Sequence, residues 1–174
     1  VGTTSSVWSW AVADGIADAE RTCVAGSHFG GHAALLAAAR QPDRFKCVAA
    51  LAPVTDLPAL FATADYDLSK SPTRAALLLA RIGAADPSGI AVEQSPVNVA
   101  ARIKQPVLLQ WDPVYADTPA DQTARMADAL ARAGNPAQRV GDPAAAAGKT
   151  RSALTLERIN ALVDFVDARI GASR

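Results

Sequence analysis

Residues 24–35 read VAGSHFGGHAAL, and the way this stretch turns decides the fold. It opens on a short apolar run, "RTCVAGS", too brief for a helix and bounded by polar residues, which predicts a strand. It closes on "GGHAALLAAARQPD", an alanine-rich helix former stopped by Pro42. A second apolar run, "FKCVAALAP", follows at once. Strand, tight glycine turn, helix, strand is the unit from which a parallel sheet is built.

The rest of the chain repeats that alternation. Upstream, "SSVWSWAVADGIADAE" carries Val7, Trp10, Val12 and Ile16 near helical spacing behind serines suited to an N-cap. Downstream, residues 54–95 hold prolines at 58, 72 and 87 and predict short helices in a connecting excursion. "QPVLLQW" is a third strand, "TPADQTARMADALARAG" a helix stopped at Gly134, "AQRVGD" a fourth strand, and "LTLERINALVDFVDARI" a closing amphipathic helix. Strands apolar along their whole length and separated by helices predict the α/β class: a parallel sheet of about four strands with helices on both faces. Functional residues in such sheets collect where strands end, here after Ala25, Ala52, Gln110 and Val140.

Composition narrows the partners. The chain has 174 residues, 50% hydrophobic and 5% aromatic, enough for a single well-buried domain over 1–174. Lys plus Arg equals Asp plus Glu at 17 each, with neither sign gathered into a block, so neither nucleic acid nor a membrane surface is an expected partner. Apolar stretches fall short of the roughly 20 residues a membrane span needs. No charged start followed by an apolar run and a cleavage site is present at the N-terminus, so the expected location is cytoplasmic. Cys23 and Cys47 lack CxxC spacing and read as two small buried core residues. No cofactor is expected.

On these residues a resemblance can be named. "ERTCVAGSHFGGHAALLAAARQPDRFKCVAALAPVTDL" resembles the nucleophile-elbow region of the prolyl-oligopeptidase family of α/β-hydrolases, of the acylaminoacyl-peptidase and dipeptidyl-peptidase type. "SPVNVAARIKQPVLLQWDPVYADTPADQTARMADALARAG" is similar to that family's next catalytic segment. The likeness runs from about Val12 to Ile170 without an evident gap, and implies a partial α/β-hydrolase fold and an ancestral serine-type peptidase or esterase activity.

The resemblance also shows where the chemistry is altered. In the family's G-x-S-x-G turn the serine stands exposed above the start of a helix; between Gly26 and Gly30 the matching position is His28, which has no alcohol to acylate. Histidine tolerates a positive φ better than most residues, so the turn is expected to survive, held by Gly26, Gly30 and Gly31. Ser27, one position off, is expected to project elsewhere. The slot of the family's acid is Tyr115, flanked by Asp112 and Asp117. The slot of its histidine is Ala147, in the loop "DPAAAAG". The amide of Phe29 is left as one oxyanion-type donor, and the expected ligand cleft is formed by His28, Phe29, Trp111 and Tyr115.

The likeness covers only the C-terminal half of the family's catalytic domain, which implies that "TCVAG" lies at a sheet edge. Apolar edge strands are liabilities for pairing. The edge near Thr22–Gly26 is therefore expected to be covered by a second copy, by a complementary chain, or by the N-terminal helix folded across it. The leading expectation for function is a catalytically inactive domain, natural or engineered, acting as a binding or assembly scaffold. Three others stand beside it. One is a serine hydrolase with differently placed residues. Another is a metal site at His28 and His32, four residues apart on one helix face, completed by Asp112 or Asp117. The last is phosphate binding at Gly148-Lys149-Thr150, although Pro143 replaces the first glycine of a phosphate loop and lacks an N–H to donate.

Overall fold

The computed structural model describes residues 2–111, 119–141 and 150–171, without the side chains of residues 2–6, 120 and 151. Four strands, β1 (Cys23–Ser27), β2 (Cys47–Leu51), β3 (Val107–Gln110) and β4 (Gln138–Val140), pair in the order β1-β2-β3-β4, every pair parallel. Among the described residues six α-helices accompany them: α1 (Gly2–Ala13), α2 (Phe29–Arg40), α3 (Leu57–Phe61), α4 (Pro72–Ile82), α5 (Ala120–Arg132) and α6 (Arg151–Ile170). This is the α/β sheet expected from the alternating apolar runs.

The two-residue period of a strand decides which helix each residue meets. Val48 and Ala50 of β2, with Val107 and Leu109 of β3, face α2, α5 and the 3-10 segment Pro96–Arg102, where Leu35, Ala38, Ile103, Met126 and Leu130 complete the main core. Cys47, Ala49 and Leu108 point the other way, against Phe165 of α6. Both faces of the sheet are thus covered, which is why these strands read as unbroken apolar runs. Buried Gln122 of α5 ties the chain after β2 to this core: its Oε1 accepts from the Thr55 and Asp56 amides, both at 2.8 Å, and its Nε2 donates to the Asp56 carbonyl at 3.0 Å.

Between β2 and β3 the chain makes α3, α4 and, ahead of the Pro96–Arg102 segment, two short 3-10 turns, Pro87–Gly89 and Val92–Gln94. These enclose a second apolar cluster built on Val54, Leu57, Leu60, Tyr66, Leu78 and Leu79. Phe29, the first residue of α2, packs against that cluster and joins it to the turn after β1.

The cysteines correct the sequence expectation. The β1–β2 register sets Cys23 directly opposite Cys47, their Cα atoms are 4.7 Å apart, and the two are joined in a disulfide. Cys47 is buried, as expected, Cys23 is only half-buried, and neither is a free thiol.

Among the described residues β1 is an edge strand. α1 lies beside it, so that Val7, Trp8 and Ala11 face Cys23, Val24 and Phe45 across a groove of about 560 Å³. The Arg44 guanidinium stacks 4.2 Å from the Trp8 ring centre. No described helix is long and apolar enough to cross a membrane.

Candidate functional site

The turn between β1 and α2 is sharp because two glycines allow it. A Cβ on Gly26 would collide with the backbone C and O of Gly30 and come within 2.9 Å of the Gly31 nitrogen. One on Gly31 would stand 3.0 Å from the Pro53 Cβ and 3.1 Å from the Gly26 carbonyl oxygen. Gly30 plays no such part: nothing lies within 4 Å of where its Cβ would be. The expectation that all three glycines hold the turn is therefore right for Gly26 and Gly31 alone.

His28 stands at the tip with φ 53° and ψ −118°, a backbone conformation that L-residues adopt only when the surroundings enforce it. Three hydrogen bonds supply that enforcement. Its N–H donates to the Leu51 carbonyl at 2.8 Å, and its own carbonyl accepts from His32 N at 3.0 Å and Val54 N at 3.3 Å. The sheet, the first turn of α2 and the chain leaving β2 all converge on one residue. Strain of this kind, stored at a strand-to-helix turn, is what presents a single side chain above a helix N-terminus.

The His28 ring meets Phe29 edge-on, with centroids 4.7 Å apart. It lines a cavity of about 290 Å³ whose far wall comes from the excursion: Tyr66, Arg74, Leu77, Leu78 and Arg81. Tyr66 is buried, and the Arg74 guanidinium lies 4.8 Å from its ring centre. These wall residues were not singled out from the sequence. Ser27, one residue before the tip, lines a separate cavity of about 240 Å³ with Ala25, Ala49 and Leu162, so it does project away from His28.

His32 lies one turn into α2 and is buried. Its Nδ1–H donates to the Val54 carbonyl at 3.0 Å, and burial holds its pKa below the ordinary histidine value, with Arg40 adding to the effect. The Phe29 ring stands between the two histidines, 4.7 Å from His28 and 6.2 Å from His32. They line different cavities, His28 one and His32 another of about 340 Å³. The third member of the expected metal set, Asp112 or Asp117, lies outside the described residues. Among the described residues no three His, Cys, Asp or Glu side chains are grouped to hold a metal.

Trp111 follows β3, its N–H donating to the Val140 carbonyl at 3.0 Å, and it is not among the residues lining the His28 cavity. Asp112, Tyr115, Asp117, Pro143, Ala147, Gly148 and Lys149 lie outside the described residues. Thr150 caps α6, its hydroxyl accepting from the Ala153 amide at 3.3 Å. The Phe29 N–H is the first of α2 and, among the described residues, donates to no backbone carbonyl.

A strained strand-to-helix turn at the C-terminal end of a parallel sheet is the geometry of an α/β-hydrolase elbow. The sequence model of the prolyl oligopeptidase family matches residues 4–173. The chain belongs to the prolyl oligopeptidase family. Solved structures agree on the fold. An acylaminoacyl peptidase from Pyrococcus horikoshii superposes with a TM-score of 0.71 at 17% identity, over 97% of this chain and 27% of its own. A puromycin-hydrolyzing peptidase from Mycobacterium tuberculosis gives 0.69 at 26% identity, over 95% of this chain and 24% of its own. Dipeptidyl peptidase 4 from Porphyromonas gingivalis gives 0.58 at 23% identity, over 84% and 20%. The family member described here thus spans about a quarter of the length of these relatives. A search among curated proteins finds no match.

Proposed function

We propose that this chain is a non-hydrolysing domain of the prolyl oligopeptidase family that binds through the cleft at its elbow and assembles with another chain along β1. One observation carries the reading: the strained tip of the elbow, where the family resemblance puts the nucleophilic serine, is occupied by His28. Acyl transfer of the serine type needs an alcohol at that point, a base to take its proton and an acid to orient the base. The family resemblance puts His28, Ala147 and Tyr115 in those slots. What persists is the scaffold, with a partly apolar cavity and a first helical amide at Phe29. Assembly is supported by the unpaired side of β1 and by the groove that α1 leaves beside it. The Cys23–Cys47 disulfide favours an oxidising compartment over the cytoplasm, where glutathione keeps such pairs reduced.

Hydrolysis of acyl-amino-acid anilides and nitrophenyl esters tests the first half. The expected rate is that of the uncatalysed background, unchanged in His28→Ala. Turnover abolished by Ser27→Ala would place the protein among active hydrolases instead. Light scattering across protein concentration tests the second half; a strict monomer at the highest concentration removes the assembly reading.

A further inference from the structure

The cavity on the His32 side of Phe29 has a composition that selects a ligand class. Its floor is apolar, formed by Phe29 and Leu36 of α2 and by Leu78 and Ile82 of α4. Its charged lining residues are two arginines, Arg40 at the end of α2 and Arg81 in the last turn of α4. No aspartate or glutamate is among the described residues that line it. The other two polar groups add no charge. Gln94 spends its amide on the Ile82 carbonyl and the Ala91 N–H. His32 is held neutral by burial, with its Nδ1–H committed to Val54. At about 340 Å³ the space falls within the roughly 300–1,000 Å³ of small-molecule pockets, which pair an apolar wall with a few fixed polar groups.

We infer that this cavity binds a short aliphatic monocarboxylate, its carboxylate held between Arg40 and Arg81 and its alkyl stem laid against Phe29, Leu36, Leu78 and Ile82. Two features favour a carboxylate over a cation or a neutral chain. Guanidinium is a planar fork that matches a carboxylate in two parallel hydrogen bonds, and two like charges on one rim repel any cation brought between them. The site adjoins the His28 cavity, with Phe29, Leu78 and Arg81 lining both, but it makes no use of His28. The inference therefore stands whether or not the elbow hydrolyses anything.

The test is a titration with hexanoate, hexylamine and hexanol in parallel, followed by backbone amide NMR on the intact chain. Hexanoate is expected to shift amides of Ala33, Leu36, Leu78 and Ile82, with hexylamine silent at the same concentration. Arg40→Gln and Arg81→Gln, both exposed positions, are each expected to weaken hexanoate about tenfold, the scale of one charge-assisted hydrogen bond, while thermal unfolding stays at the wild-type temperature. Arg102→Gln, not among the residues lining the cavity, is expected to leave binding unchanged. Equal binding of hexanol, or hexanoate binding untouched in both glutamine variants, would overturn the inference. So would no binding at all; the arginines would then serve only the C-terminal ends of α2 and α4.

Discussion

Gly26 and Gly30 look equivalent in the sequence, yet replacing each with alanine should move stability in opposite directions. At Gly26 the added methyl meets the backbone of Gly30 and Gly31. Backbone atoms cannot rotate away as a side chain can, so the turn itself must open. Forcing a methyl into such a site costs about 3 kcal/mol, toward the upper end of overpacking penalties. At Gly30 the methyl meets open space in the first turn of α2, and alanine improves on glycine in a helix by about 0.5–1 kcal/mol. In a domain of this size each kcal/mol moves Tm by about 2–4 °C. Gly26→Ala should therefore lower Tm by about 6–12 °C, and Gly30→Ala should raise it by about 1–4 °C. Thermal unfolding followed by circular dichroism, with a denaturant titration alongside, reads both. Equal losses at the two positions, or a larger loss at Gly30, would refute the close approach of β1 and α2 on which the elbow rests.

Three further outcomes are expected. Thiol titration of the native protein should find no free cysteine; replacing Cys23 and Cys47 with serine or alanine opens a cross-link of sequence separation 24, worth about 3.5 kcal/mol in the chain-entropy account, and two titratable thiols would contradict the pairing. Gln122→Ala leaves the buried Thr55 and Asp56 amides without their acceptor and should cost about 2–4 kcal/mol in denaturant unfolding; a loss below about 1 kcal/mol would mean the strap after β2 is held by something else. His32 has a folded pKa below its ordinary value, so as pH falls through the ordinary histidine range the unfolded chain takes up a proton that the folded chain refuses. Stability should accordingly fall with acidification there, and less steeply in His32→Phe; parallel slopes for the two proteins would rule out this source.

The sheet was legible because its strands are buried on both faces and so read as uninterrupted apolar runs, with Pro42 and Gly134 closing the helices between them. The elbow was legible because glycine spacing around a strand-to-helix turn is a local signal. The disulfide was missed although a signal existed: "CVAG" and "CVAA" begin alike, and pairing the two strands residue for residue sets the cysteines opposite each other. The apolar spacing through Ile16 predicts a first helix that runs on past its actual end at Ala13. Asp14-Gly15 ends it, with Gly15 at φ 72° and the Ile16 amide closing back on the Ala11 carbonyl at 2.8 Å. The wall of the His28 cavity was beyond reach from sequence. Tyr66, Arg74 and Arg81 come to His28 only when the excursion folds its own apolar cluster against Phe29, and no local pattern encodes that docking.

The proposed loss of the nucleophile is tested most directly by intact-mass spectrometry before and after exposure to a fluorophosphonate, which phosphonylates activated serines. With His28 at the tip of the elbow and Ser27 lining a different cavity, the mass should not change. A stoichiometric adduct, mapped to Ser27 or to any other serine, would contradict the central claim and show that the chain carries a working nucleophile.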